Sequence, residues 1–300
     1  MSDGRRIHLA GIIPLANLQT DFDLVTPECL LPVDPGFTAI QKAVFECAVA
    51  GCQTIWIVAN DDLAPIIKKV IGEWAYDPVY YYRKHAVFPS EQRKEIPIYY
   101  VPVHPKDRDR RDSYGWAALH GINSAWRVAN IISHWVVPHK YFVTFPMSAY
   151  NVYSLRNLRP KISDFENNFF LTHNGKTVKD NVPLAFTMFG EDYIQCRRHI
   201  NKTTSREYLN PGPDEKYPQK KLPLNERWSA RQFDFDTVFQ KINETNAHKE
   251  ELEWYYDISK WQEYQLFMGS ENFIQKPSNN LTKAHKHVKL VYREGKLNDD

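Results

Sequence analysis

The stretch from Ile7 to Asp62 limits the fold more than any other, because it reads as a strand, a long loop, an amphipathic helix and a second strand. Ile7-His8-Leu9-Ala10-Gly11-Ile12-Ile13-Pro14-Leu15 is an apolar run too short for an ordinary helix and interrupted by a proline, which predicts a buried strand. Phe37, Ile40, Ala43, Val44, Cys47 and Ala48 then recur at helical spacing until Gly51 supplies a stop. The run from Cys52 to Ala59 follows as a second strand rich in β-branched residues, ending at Asn60-Asp61-Asp62. Two strands joined by a crossover helix of this length form a parallel pair with a right-handed connection. In such units the loop after the first strand is where nucleotide-handling α/β proteins place their chemistry.

The alternation continues. Asp61 is expected to cap a helix with Pro65 in its first turn and a stripe of Leu63, Ile66, Ile67, Val70 and Ile71 ending at Gly72. Residues 77–94 read as an irregular excursion. Ile96 to Val103 is a third strand, whose Pro97 and Pro102 predict a sheet edge or a strained entry. A helix starts near Ser113 and carries Trp116, Leu119, Ile122, Trp126, Val128, Ile131 and Ile132, and Tyr141 to Phe145 is a fourth strand. A short helix is expected between Asn151 and Lys161, an Asn174-Gly175 turn between extended runs predicts a hairpin, and Val182 to Phe189 is a further apolar run. The fold class that emerges is three-layer α/β with a mostly parallel sheet and a small helical C-terminal appendage.

The expected division is a domain over residues 1–210, a proline- and lysine-rich linker over 211–224, an aromatic helical appendage over 225–274 and a polar tail over 275–300. Asp236 and Asp257 are the expected helix caps of the appendage, and Trp254, Tyr255 and Tyr256 supply its aromatics. Helical pairs of this kind pack back onto the parent domain or form a subunit contact, which implies a homo-oligomer or a protein partner through this segment. In the tail, disorder or a short edge strand at 288–292 is expected, with His285 and His287 as opportunistic metal ligands.

A net charge of +2, from 38 basic and 36 acidic residues, exerts no global pull towards nucleic acid. No apolar run approaches the ~20 residues that span a bilayer, so a cytoplasmic protein without a membrane partner is expected. Cys29, Cys47, Cys52 and Cys196 lack paired metal spacing and read as reduced, partly buried thiols.

The densest local charge is His104-Pro105-Lys106-Asp107-Arg108-Asp109-Arg110-Arg111-Asp112-Ser113, between a strand end and a helix start. Free backbone N–H groups and guanidinium forks both suit phosphate, so this is the leading anion site. A solvated loop of self-neutralising charges is the alternative. The basic run Arg197, Arg198, His199, Lys202 and Arg206 has the same two readings, phosphate contact or solvated loop. Three Asp-x-Asp pairs occur, Asp21-Phe22-Asp23, Asp107-Arg108-Asp109 and Asp234-Phe235-Asp236, a number close to chance for a chain with 36 acidic residues.

The runs LAGIIPLA (9–16) and TPECLLPV (26–33), with a helix ending in AGCQTIWIV (50–58), resemble the amino-terminal half of the sugar-nucleotide pyrophosphorylases, nucleotidyltransferases of GT-A-like fold. The wording HPKDRDRRDSYGWA (104–117) is similar to a nucleotidyltransferase-like group carried by tailed phages, for which the compartment would be the host cytoplasm. The resemblance implies transfer of a nucleotidyl group from a nucleoside triphosphate to a sugar phosphate or related acceptor, with Mg2+ as cofactor and a nucleotide or nucleotide sugar as partner. It assigns Lys106, Arg110 and Arg111 as catalytic cations and Leu15, Ala16, Asn17, Arg108, Tyr114 and Gly115 as nucleotide-binding residues. It names no metal ligand. Three positions depart from the family: Ile13-Pro14-Leu15-Ala16-Asn17 replaces a glycine-rich loop, Glu28 replaces a lysine, and Met147 replaces a metal-binding aspartate. These departures keep open a non-catalytic binding or virion-associated protein, and a glycosyltransferase of the same fold if an Asp-x-Asp pair lies in the central cleft.

Overall fold

A computed structural model of the chain describes residues 8–78, 95–103, 113–132, 137–164, 166–204, 208–223 and 233–277. Its centre is an eight-stranded sheet of order β11-β9-β10-β7-β1-β4-β6-β5. The strands are β1 (Leu9–Pro14), β4 (Thr54–Ala59), β5 (Trp74–Tyr76), β6 (Glu95–Pro102), β7 (Lys140–Val143), β9 (Phe169–Thr172), β10 (Phe186–Phe189) and β11 (His248–Glu251). All but β5 and β10 run in one direction, which makes the sheet mostly parallel. Among the described residues there are also two small antiparallel pairs: β2 (Pro32–Asp34) with β3 (Phe37–Thr38), and β8 (Ser148–Ala149) with β12 (Tyr256–Asp257).

Helices cover both faces. On one lie α1 (Ala39–Ala50), α2 (Ala64–Ile71), α4 (Leu155–Ile162) and α7 (Trp261–Gly269); on the other lie α3 (Tyr114–Ile132), α5 (Gly190–Thr204) and α6 (Phe235–Phe239). The pleat of β1 explains why its residues are all apolar or glycine. Leu9 and Ile13 enter the first core and Ala10 and Ile12 the second, so no position on the strand meets water. Two glycines allow the layers to close. A Cβ on Gly11 would sit 2.6 Å from Cys47 Sγ of α1, and one on Gly121 would sit 2.7 Å from Val58 Cγ2.

Helix α1 is bounded as its sequence dictates. Thr38 and Gln41 form a reciprocal capping box, and Gly51 ends the helix in the left-handed region at φ 94°. The N-cap of α2 is not Asp61. Its N-cap is Leu63 without a side-chain bond, because the Asn60 carbonyl accepts the Leu63 and Ala64 amides at 3.1 and 2.9 Å. Strand β6 is not a sheet edge despite its prolines. Pro97 precedes the β4 ladder, which begins at Ile98, and Ile98 donates to Glu73 O on the β5 side at 2.9 Å. Alternation then aims the missing N–H of Pro102 to that same side, beyond the end of β5, so neither proline removes a ladder bond.

The Asn174-Gly175 turn is present, with φ of 51° and 71°, but its two arms meet only at a His173–Lys176 bridge; β9 pairs with β10 and β11 instead. The basic run after Cys196 belongs to α5 as far as Thr204 rather than to a loop. The C-terminal part packs back onto the parent domain and is not helical throughout: β11 joins the main sheet, Val238, Phe239 and Ile242 enter one core, and Tyr264 and Phe267 enter the other. Asp236 and Asp257 are not helix caps. Asp234 and Lys260 hold those positions, and the Trp261 amide at the start of α7 is held by Asp21 Oδ1 at 2.7 Å. The expected tail strand at 288–292, with His285 and His287, lies outside the described residues, as do residues 79–94 and 224–232, the last being the end of the linker and the start of the expected appendage. All four cysteines are free and buried. No helix among the described residues is long and apolar enough to cross a membrane.

Candidate functional site

The connections of the sheet reverse direction at β1. From β1 the chain crosses over α1 to β4 on one side, and after β6 it returns over α3, on the opposite face, to β7 on the other side. This leaves a crevice beyond the carboxyl ends of β1 and β7, the place where open α/β sheets bind ligands. A cleft of 370 Å³ lies there. Leu18 and Gln19 after β1, Met147 after β7, and Ser113, Tyr114 and Gly115 at the start of α3 form part of its wall.

The third side comes from the C-terminal part. Strand β12 pairs with β8, which sets Asp257 opposite Ser148, and the Ile258 amide donates to Met147 O at 2.9 Å. Asp257 therefore stands in the cleft beside Met147, and Asp234, preceding α6, lines it as well. Asp257 Oδ1 accepts from Ser259 Oγ at 2.6 Å, and its Oδ2 lies 3.2 Å from the exposed Lys260 Nζ. Tyr114 also lines the cleft, and its buried hydroxyl has no hydrogen-bond partner among the described residues. Burial, reinforced by the charges of Cys29, Asp257 and Glu46, raises its pKa well above the phenol range, so it stays a neutral donor.

A buried ion pair supports the floor. Lys42 and Glu46, one turn apart on α1, are fully buried with Nζ 2.7 Å from Oε1. Lys42 Nζ also donates to Phe145 O at 3.4 Å, to Ser148 Oγ at 3.3 Å and to Ser148 O, while Glu46 Oε2 accepts from Thr144 Oγ1. Burial pushes Glu46 up and Lys42 down, and each opposes the shift of the other by attraction. The pair thus ties α1 to the turn that carries Met147 and β8, and through β8 to Asp257.

Among the residues expected to bind nucleotide, Leu15 and Ala16 are buried, and both of their amides donate to Val58 O, at 2.8 and 3.0 Å. Asn17 takes the left-handed conformation at φ 62° that turns the chain towards Leu18. Gly115 packs beneath α6, where a Cβ would meet Val238 Cγ2 at 3.0 Å. Lys106, Arg108, Arg110 and Arg111 lie outside the described residues. Of the Asp-x-Asp pairs, Asp107 and Asp109 lie outside the described residues, Asp21 holds the α7 amide, and only Asp234 of the third pair lines the cleft; Asp236 Oδ1 instead accepts the Thr237 amide at 2.5 Å. Asp257 was missed because an aspartate before a helical pattern reads as a cap. The one available signal was its place directly after the aromatic run Trp254-Tyr255-Tyr256. No group of three or more His, Cys, Asp or Glu side chains suited to a metal occurs among the described residues.

The arrangement defines a three-layer α/β protein with an acidic cleft at the switch point of its sheet. No protein-family model matches the chain, and no curated protein matches it. Among solved structures, it is similar to a nucleoside-diphosphate-sugar pyrophosphorylase from Vibrio cholerae RC9, at 14% identity and TM-score 0.49, covering 87% of this chain and 100% of that one. It is also similar to a putative glucose-1-phosphate thymidylyltransferase from Bacillus anthracis, at 10% identity and TM-score 0.49, covering 90% and 98%. A UDP-glucose pyrophosphorylase complexed with UDP-glucose stands at 12% identity and TM-score 0.48, covering 87% and 97%. At these identities and TM-scores the likeness says nothing about chemistry.

Proposed function

We propose that this protein binds a nucleotide or nucleotide sugar in the switch-point cleft and transfers a nucleotidyl group from a nucleoside triphosphate to a sugar phosphate. The observation that carries the reading is the convergence of Asp234, Asp257 and Tyr114 on one cleft beyond β1 and β7. In the reaction an acceptor phosphate oxygen forms a bond to the α-phosphorus while the bond to the bridging oxygen breaks, and pyrophosphate leaves with that electron pair. Such a displacement needs positioning and charge stabilisation more than covalent chemistry.

The donor set fits a hard divalent cation. Mg2+ takes oxygen ligands, commonly one or two carboxylates with water and phosphate, and Asp234 and Asp257 supply two carboxylates in the same cleft. Bound there, it would screen the charge of the phosphates. Lys106, Arg108, Arg110 and Arg111, which in sequence end two residues before the cleft residue Ser113, are assigned the cationic part of the site.

A second reading, nucleotide binding without transfer, is favoured by the Leu15 and Ala16 amides. Both are engaged by Val58 O, so the loop after β1 does not offer them to a triphosphate. The glycosyltransferase reading is weaker, because the two carboxylates of Asp234-Phe235-Asp236 do not act together. Incubating the protein with each nucleoside triphosphate, glucose 1-phosphate and Mg2+ while following pyrophosphate separates the readings. Release of pyrophosphate that depends on the sugar phosphate supports transfer, and tight nucleotide binding with no pyrophosphate favours the second reading.

A further inference from the structure

The even charge balance of the chain conceals a local asymmetry. Helix α3 carries no aspartate or glutamate over its 19 residues, and α5 carries none after Glu191 and Asp192 in its first turn. The helical period, about 100° per residue, spreads the basic run of α5 across one face. Arg197 falls on the edge towards α3, Arg198 and Lys202 at the middle, and His199 on the edge towards Lys241, which follows α6.

The contacts agree with this placement. Arg197 Nη1 donates to Asn123 Oδ1 of α3 at 3.0 Å and to the Tyr193 hydroxyl at 2.9 Å. Burial raises the pKa of Tyr193, and the charges of Arg197 and of Arg127 on α3 both act against the rise. At the other edge, burial lowers the pKa of His199, and the charges of Lys241 and Lys202 lower it further. Arg127, Arg197, Arg198, Lys202 and Lys241 are all exposed and form a band of cations across α5. Among the described residues, no carboxylate pairs with Arg127, Arg197, Arg198 or Lys241. The neighbouring acids are placed otherwise. Glu166, Glu191 and Asp192 line, with His139, a cavity of 810 Å³ at the amino end of α5, and Glu244 is held by Lys179 and Lys249 at 2.7 Å each.

Unopposed cations suit a polyanion, and the apolar side chains among them narrow its class. Trp126, adjoining Arg127, and Ile194, one turn before Arg197 and Arg198, are 46% and 45% exposed, and both lie beside Arg197 at the cavity. An indole half in water among guanidinium groups is the arrangement that holds single strands: cations follow the phosphates, and the ring stacks on a base face that a duplex keeps covered.

We propose that the face formed by α3 and α5 is a docking surface for single-stranded nucleic acid, with phosphates on Arg127, Arg197, Arg198 and Lys241 and a base stacked on Trp126.

Fluorescence anisotropy of labelled oligo(dT) and oligo(U), titrated with the full chain between about 50 and 200 mM salt, tests this. At least one is expected to bind with a logarithmic salt slope of about −2 to −3, since three or four phosphate contacts contribute about −0.7 each. Arg198→Gln and Lys241→Gln, both at exposed sites, are each expected to weaken binding and to bring the slope about 0.7 nearer zero. Trp126→Ala is expected to weaken binding by about tenfold with the slope unchanged, because stacking releases no counterions. A duplex of equal length is expected to bind more weakly than the single strand, and Asp257→Asn, in the switch-point cleft, to bind as the wild type does. The proposal is overturned if neither oligonucleotide binds at about 100 μM protein and low salt, or if Trp126→Ala binds as tightly as wild type. It is equally overturned if the duplex binds as tightly as the single strand, if inorganic polyphosphate displaces the single strand as well as unlabelled oligonucleotide does, or if Asp257→Asn abolishes binding.

Discussion

Replacing Lys42 by Met leaves the Glu46 carboxylate in a site with no solvent access, where only neutral hydroxyls, those of Thr144 and Tyr150, remain beside it among the described residues. Breaking a buried ion pair from one side costs roughly 3–5 kcal/mol, a large share of the 5–15 kcal/mol that holds a domain of ordinary stability. Glu46→Leu has a cost of the same order, because the ammonium is then the buried orphan. The double variant Lys42→Met, Glu46→Leu removes both charges together. What it loses is the donation of Lys42 to Phe145 O, Ser148 O and Ser148 Oγ and the acceptor of the Thr144 hydroxyl, a penalty of about 1–3 kcal/mol. The two substitutions are therefore expected to be non-additive, with a coupling of at least roughly 2 kcal/mol in favour of the double variant. Urea denaturation followed by far-ultraviolet circular dichroism gives all four stabilities. Glu46 adds a check on sign. Its folded pKa is raised above the unfolded value, and in Lys42→Met the attraction that opposed the rise is gone, so lowering the pH lets the carboxyl take up a proton and the variant recovers part of its loss. Additivity within about 0.5 kcal/mol would refute the reasoning, because the pair would then not be acting as a unit.

Other perturbations have equally definite outcomes. Lys140 is fully buried against Asp164 O and Asn167 O, and burial lowers its pKa to about 8 from 10.5. The unfolded chain therefore binds more protons between those values, and stability rises with pH through that window; denaturation at pH 7.5 and 9.5 is expected to differ by roughly 2 kcal/mol more for wild type than for Lys140→Met. Gly11→Ala drives a methyl to 2.6 Å from Cys47 Sγ and is expected to destabilise by about 1–3 kcal/mol, whereas Gly190→Ala, with nothing within 4 Å, is neutral or slightly stabilising in thermal melts. Asp21→Ala removes the bond to the Trp261 amide and is expected to cost about 1 kcal/mol, read as a lower urea midpoint.

The parts of the fold legible in the sequence are those where burial repeats with the period of the element. The β1–α1–β4 unit is legible because its strands are buried on both faces and read as continuous apolar runs, and because Gly51 stops the helix in the left-handed region. Strand β11 was illegible for the opposite reason. His-Lys-Glu-Glu has no apolar alternation, and its edge is held instead by polar partners, His248 to Asp164 at 2.8 Å and Thr172 to Glu251 at 2.6 Å. Lys42 and Glu46 hide inside a helix where nearly every residue is buried; an i,i+4 Lys–Glu pair reads as a solvated face until the strands around it are known to be covered. Within the cleft, the start of α3 at Tyr114-Gly115 was legible from the strand–helix boundary. Asp257 was not, since only the long-range pairing of β12 with β8 brings it beside Met147.

The most direct test of the central claim is calorimetric titration of each nucleoside triphosphate into the protein, with and without Mg2+, repeated on Asp257→Asn. Binding of at least one triphosphate that strengthens with Mg2+ and falls roughly tenfold or more in the variant, the loss of about 1.4 kcal/mol, is the expected result. No binding of any triphosphate at millimolar concentration, or equal binding by Asp257→Asn, would contradict the assignment of the switch-point cleft as a nucleotide site.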